Sequence, residues 1–295
     1  MEIGILDFGS NYKISSSLII ENLIDYAHCA DENGFSRFWL TEHHAANLGW
    51  SNPEMLLPTL AARTRRIKIG LAGSLIAVHS PYRVACSFKL LSTLYPGRID
   101  LGFANGKPNL EIAQYLLNHS NLDNKVYKKF YDNIRLVCDF FNSEKGNLIS
   151  PTSDELPQLW LLGSSNHNLT FAKELNMGFS KSSFHTNTPV NRDINLLFEH
   201  KSSFYDKYQY PAPLNLAFSG LCDKNSQQAK KRFFEINRFE YDPKSNFIVG
   251  SPAYFSDRLE ALKDELGIDE FIFNNIDTDQ NYKLKTISLL KDLVN

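Results

Sequence analysis

The sequence has few cysteines and keeps them apart. Cys29, Cys86, Cys138 and Cys222 show no paired spacing of the kind zinc or redox chemistry uses, so they read as buried or half-buried thiols in a reducing compartment. No apolar run approaches the length of a membrane span. The opening residues, MEIGILDFGSNYK, hold no basic segment followed by an apolar stretch and a small-residue cleavage site. The expectation is a soluble, cytoplasmic protein. Neither sign of charge dominates: 31 Lys and Arg face 33 Asp and Glu, and the basic residues are scattered. That excludes an electrostatic nucleic-acid or membrane binder. No G-x-G-x-x-G follows a strand-like run, which weakens a Rossmann reading. No Pro/Ser-rich linker divides the chain, so residues 1–295 read as one domain.

What is present is alternation. Short apolar, strand-like runs occur at 3–8, 37–41, 67–73, 98–104, 158–163, 178–183, 214–220 and 269–274. Helical stretches separate them. Val126, Phe130, Ile134, Val137 and Phe141 recur at spacings of three and four, which predicts one amphipathic helix. Asn52–Pro53 and Ser251–Pro252 read as helix starts, with a cap followed by a first-turn proline. Repeated βα units imply a parallel sheet, and eight of them fit a closed (β/α)8 TIM barrel of the α/β class. A Gln- and Lys-rich helix follows the 214–220 strand, and the otherwise irregular polar segment 220–250 reads as a shortened insertion or lid before the last βα units.

In such a barrel the chemistry sits at the strand C-termini. Three strand ends stand out. The first is "TEHHAANLGW", with Glu42, His43 and His44 in a row. Adjacent residues on extended chain point to opposite sides, so only one of the two histidines can readily face the mouth. That argues against both binding one metal ion, and no H-x-H or carboxylate cluster at other strand ends completes a metal shell. A general acid or base near neutral pH and a hydrogen-bonded loop histidine both remain open. The second is "LWLLGSSNHN", whose Gly163, Ser164 and Ser165 precede a helix and suit either a phosphate or an ordinary N-cap. The third is "GLAGSLIAVHSP", whose small residues leave room for a flat ligand or simply make a tight exit.

Taken together, "TEHHAANLGW", "AARTRRIKIG", "HSPYRVA", "PGRIDLGF", "LWLLGSS" and "VGSPAYFSDRLEALKDELGIDEFIF" resemble the bacterial luciferase-like, flavin-dependent oxidoreductase family. The resemblance covers most of the chain and is weakest at 105–125 and 220–247. It implies a barrel that binds flavin mononucleotide (FMN) at the strand C-termini. It further implies a monooxygenase that takes reduced FMN from a separate flavin reductase and oxidises an aldehyde or another organic substrate with dioxygen through a flavin hydroperoxide. His43 aligns with the family's catalytic histidine, an acid or base. Ala72–Gly73 matches a non-proline cis peptide beneath the flavin ring, and small residues there and at Ala104 make room for the ring. Gly163, Ser164, Ser165 and His167 match the phosphate loop. Phe8, Trp50 and Phe184 are expected to shape the substrate pocket. Family members often dimerise, which implies a homodimer or a heterodimer with a related subunit.

Some residues depart from the family pattern. Relatives commonly carry a phosphate-holding arginine after the fourth strand, where this chain has Asn105 in "FANGKPN". The luciferase catalytic subunit has a reactive cysteine where this chain has Ala104. "LEIAQYLLNHSNLDNK" also lacks an arginine. Charge-assisted bonds contribute about 1.5–3 kcal/mol each, so the loss is large unless other cations replace it. Lys107, Lys125 and Lys128 are the candidates. A non-catalytic, flavin-binding subunit is the alternative that the missing arginines favour, and a deazaflavin-dependent hydride-transfer enzyme is a further one on the same barrel.

Overall fold

The computed structural model describes residues 1–9, 14–44, 49–142, 148–185 and 189–294. Among these residues nine strands, all parallel to their neighbours, form one sheet: β1 (Glu2–Asp7), β2 (Arg37–Leu40), β3 (Lys68–Ser74), β4 (Ile99–Phe103), β5 (Gln158–Gly163), β6 (Gly178–Ser182), β7 (Leu214–Cys222), β8 (Phe247–Gly250) and β9 (Glu270–Asn275). Pairing runs from β1 through β7, then to β9 and back to β1, so eight strands close into a barrel. These are the eight runs read from the sequence. The ninth, β8, stands outside the ring and pairs Phe247–Gly250 with the far half of β7, Ser219–Cys222. The segment 220–250 is therefore not wholly irregular. It extends β7, forms helix α8 (Ser226–Asn237) and returns as β8.

Helices cover the ring: α1 (Ser16–Glu32), α2 (Leu57–Arg63), α3 (Pro81–Leu94), α4 (Leu110–Leu117), α5 (Phe130–Asn142), α6 (Leu169–Glu174), α7 (Ile194–Tyr208), α9 (Pro252–Leu266) and α10 (Gln280–Leu290). Ser80 and Ser251 accept from Arg83 N and Tyr254 N and cap α3 and α9, each followed by proline. Asn52 makes no side-chain cap; a short 3-10 turn, Pro53–Met55, intervenes before α2. The helix expected over 126–141 is likewise split, because Asn124–Lys129 is a 3-10 segment that buries Val126 before α5 begins.

Strand alternation fills the barrel in layers. At the N-terminal end Arg37 donates to Asp100 Oδ2 at 2.7 Å and to Glu270 Oε1 at 2.6 Å, and Trp39 Nε1 donates to Asp100 Oδ2 at 2.8 Å. Above this buried plug lies an apolar layer of Leu6, Trp39, Ala72, Trp160, Ala217 and Ile272. At the C-terminal mouth many of the lining residues are small or polar, with Phe8, Leu162 and Phe184 beside them, and space is left.

Candidate active site

Strand β2 carries its alternation past its end. Arg37 and Trp39 point inward, and the same period places Thr41 and His43 on the wall of the mouth. His44 falls on the other side. It does not line the cavity, and its Nε2 donates to Glu42 Oε1 at 2.8 Å. His43 Nδ1 shares a 3.0 Å hydrogen bond with Thr41 Oγ1, so Nε2 is the ring nitrogen left without a bond among the described residues. The His43 N–H donates to Trp50 O at 3.1 Å, and Gly49, with φ of +78°, sits so close that an added Cβ would fall 2.4 Å from His43 Cβ.

Glu42 is the hub beneath. It is 4% exposed and accepts from His44, from His79 Nε2 at 2.7 Å and from the Leu75 N–H at 2.9 Å. Burial alone would raise its carboxyl, but the His79 bond and charge, with Leu75 and His44, more than offset this and hold it below the usual range. His79 moves the opposite way. Burial would lower it, and the bond to Glu42 with the charges of Glu42 and Glu54 raises it. His43 is lowered by burial first and then by His185; Glu42 pulls the other way, and His44 adds a still smaller downward push. It is therefore a neutral imidazole at pH 7.

The cavity above has a volume of about 400 Å³, within the roughly 300–1,000 Å³ range of ligand pockets. Ala72, Gly73, Ala104 and Gly106 line it, and the Ala72–Gly73 peptide is cis. A Cβ on Gly73 would lie 2.8 Å from Gly102 O, so the backbone here is as close-packed as glycine permits. Asn105, Gly163, Ser164 and Ser165 also line the cavity. Ser180 Oγ, buried on the same wall, has no hydrogen-bond partner among the described residues. An aromatic collar closes one side: Phe8 lies 5.3 Å from His43 and 5.9 Å from Phe184, ring centre to centre. Next to it His185 Nδ1 and Ser182 Oγ share a 2.7 Å hydrogen bond, and burial lowers His185.

Of the residues singled out in the sequence, the structure gathers His43, Ala72, Gly73, Ala104, Asn105, Gly163, Ser164 and Ser165 around one cavity, with Phe8 and Phe184. His167 is not on its wall. It lines an adjoining pocket that shares Ser164 and Ser165. Trp50 is also elsewhere, because its backbone follows Glu42 while its ring faces a separate small pocket beside Asp7 and Lys283. Lys107, Lys125 and Lys128 line neither the cavity nor the adjoining pocket. Lys107 sits over the Tyr127 ring, and Lys125 pairs with Asp123. Sequence reasoning gave no role to His79, Ser180 or His185. "HSP" and "SSFH" at strand ends were the available signals, but only tertiary contacts show what they face.

Comparison with known proteins adds to this picture. The luciferase-like monooxygenase family model matches residues 1–188. Two Bacillus subtilis (strain 168) proteins are similar in sequence. One, the uncharacterized protein YwcH, is 32% identical over 182 residues, 60% of this chain and 54% of its own length. The other, N-acetyl-S-alkylcysteine monooxygenase, is 30% identical over 223 residues, 72% of this chain and 64% of its own. The chain thus aligns with a little over half to under two thirds of these relatives. Among solved structures, apo-MsnO8 superposes with a TM-score of 0.82 at 23% identity, covering 99% of this chain and 97% of that one. The oxygenating constituent of 3,6-diketocamphane monooxygenase from Pseudomonas putida, in complex with FMN, gives 0.74 at 17% over 99% and 96%. An F420-dependent secondary alcohol dehydrogenase gives 0.73 at 15% over 99% and 98%. At these identities the structures speak for the fold.

Proposed function

The chain belongs to the luciferase-like monooxygenase family, and we propose that it is a flavin-dependent monooxygenase using reduced FMN and dioxygen to oxidise an organic substrate, an aldehyde or a similar compound. The observation that carries this reading is the placement of His43. A neutral imidazole with one nitrogen held by Thr41 looks into a cavity floored by small residues.

The residues fit a flavin. The cavity is large enough, its floor of Ala72, Gly73, Ala104 and Gly106 admits a flat ring, and Ser180 Oγ is a buried donor without a partner among the described residues. Reduced FMN, when bound, supplies the two electrons with which dioxygen is split between an oxidised substrate and water. Ser164 and Ser165 are placed to hold the phosphate end, and Phe8 and Phe184 exclude water from the side facing His43. Thr41 fixes the His43 ring, so that Nε2 can accept or return a proton at the reacting centre. Reduced flavin would come from a separate reductase. A homodimer or a heterodimer with a related subunit is the proposed assembly.

Anaerobic titration with reduced FMN, followed by mixing with oxygenated buffer and a long-chain aldehyde, tests the reading. Tight binding, slowed reoxidation and an oxidised product carrying one atom from labelled dioxygen are expected. A chain that leaves reduced FMN unbound and its reoxidation unchanged is no flavin monooxygenase. The F420-dependent neighbour keeps a deazaflavin reading in view. Binding of the deazaflavin in preference to FMN, with hydride transfer and no use of dioxygen, would establish that alternative.

A further inference from the structure

Among the described residues that line the mouth cavity there is no Lys or Arg, and the one carboxylate among them, Glu42, is already engaged by two histidines and a backbone N–H. A phosphate carries about −1.5 to −2 charge at neutral pH and selects sites where cations meet it. The β4 end, where a cation was expected, offers exposed Asn105, and Lys107 lies over Tyr127 instead.

The cations are next door. A pocket of about 390 Å³ shares Ser164 and Ser165 with the mouth cavity and is lined beyond them by His167, Lys181, Arg192 and Asp193. Lys181 projects from β6, is 4% exposed, and donates through Nζ to Val190 O at 2.6 Å. From the β5 side, Asn166 Nδ2 donates to Asp193 O at 2.9 Å and to Arg192 O at 3.4 Å. The turn bearing Arg192 is thus tethered to both neighbouring strand ends. Its backbone is held beside the serines, while its exposed guanidinium makes no ion pair among the described residues. Asp193 opposes the field, but Lys181 and Arg192 against one carboxylate leave the formal charge of the described lining positive.

We propose that Arg192, backed by Lys181, supplies the cationic contact to the FMN phosphate that Asn105 cannot make, so that the phosphate sits behind Ser164 and Ser165 on the β6 side of the mouth. The inference rests on the flavin reading above and assigns the charge to this chain's own residues. Arginine suits the task because its planar fork can bind two phosphate oxygens at once.

The test compares reduced FMN with reduced riboflavin, which lacks the phosphate, by anaerobic titration of the full chain. Wild type is expected to bind FMN about tenfold or more tighter than riboflavin, with the preference shrinking as salt rises. Arg192→Gln should bring the two affinities together while leaving riboflavin binding and the melting temperature unchanged. Arg192→Lys should keep part of the preference, and Lys107→Gln should keep all of it. The inference is overturned if Arg192→Gln retains the wild-type preference, if Lys107→Gln abolishes it, or if wild type binds FMN no tighter than riboflavin. In each of those cases flavin binding itself stands. A wild-type chain that binds neither flavin overturns the flavin reading and this inference with it.

Discussion

His79 Nε2 donates to Glu42 Oε1 at 2.7 Å, joining the loop after β3 to the end of β2 underneath the cavity. With the Leu75 N–H on the other carboxylate oxygen, this one buried side chain ties together the two strand ends that carry His43 and the Ala72–Gly73 floor. Each partner shifts toward its charged form: the Glu42 carboxyl is lowered and the His79 imidazole is raised, so the contact is an ion pair wherever His79 is protonated.

The contact should therefore depend on pH in a defined way. Glu42, lowered on folding, adds stability that is present above the ordinary carboxylate range and is lost as pH falls through its folded value. His79, raised on folding, adds stability that is full below its ordinary value of 6.5 and is lost as pH rises through its folded value. Both contributions coincide in mildly acidic solution. The stability gap between wild type and His79→Gln should narrow when urea melts are repeated from about pH 6 to about pH 9. A gap that stays constant or widens would contradict the ion pair.

His43 and His44 should separate cleanly on substitution. His43→Ala is expected to keep FMN affinity and lose about 10²–10⁴-fold in turnover, the usual scale for a positioned acid or base. His44→Ala removes a Glu42 partner outside the cavity, so it should lower the melting temperature and reduce turnover far less. Because His43 is lowered, any acid limb of the wild-type rate profile that reports it should lie below 6.5. Steady-state kinetics with flavin titration of each variant decides the matter, and equal turnover of His43→Ala and wild type would remove its role.

Gly49→Ala should damage the site from behind. The position has φ of +78°, and an added Cβ would fall 2.4 Å from His43 Cβ. A residue held in the left-handed region costs about 1–3 kcal/mol, and the clash moves the imidazole as well. Lower melting temperature together with lower turnover is expected. A variant as active and as stable as wild type would show that the imidazole is not fixed by this contact.

Ala104→Leu should fill space rather than unfold the chain. Ala104 is partly exposed on the cavity wall, so a larger side chain projects into the volume assigned to the flavin ring. FMN affinity should fall about tenfold or more while the melting temperature holds. Unchanged affinity would place the ring elsewhere.

Asp100→Ala tests the floor of the barrel. Asp100 is fully buried and accepts from Arg37 and Trp39, so its removal leaves a buried guanidinium short of a partner. The expected loss is about 3–5 kcal/mol in a chemical melt. A loss below about 1 kcal/mol would mean that Glu270 and Gln158 satisfy Arg37 alone.

By itself the sequence determined the ring of eight strands, because each is a short apolar run bounded by turn residues and followed by helical periodicity. It also determined that His43 and His44 face opposite ways, since a period of two is local geometry. The place of Ala72–Gly73, Ala104, Asn105 and Gly163–Ser165 on one wall followed from strand ends meeting at the mouth of a barrel. Only the tertiary structure decided the rest. β8 is four residues long and exists because the far half of β7 offers it an edge. Trp50 turns from the cavity because its backbone pairs with Glu42. His79 reaches Glu42 across 37 residues, and the backbone of the turn bearing Arg192 is held by Asn166, from the turn after β5, and by Lys181 of β6. Periodicity records which side of its own strand a residue takes. It cannot record which distant side chain waits there, because that depends on closure of the barrel.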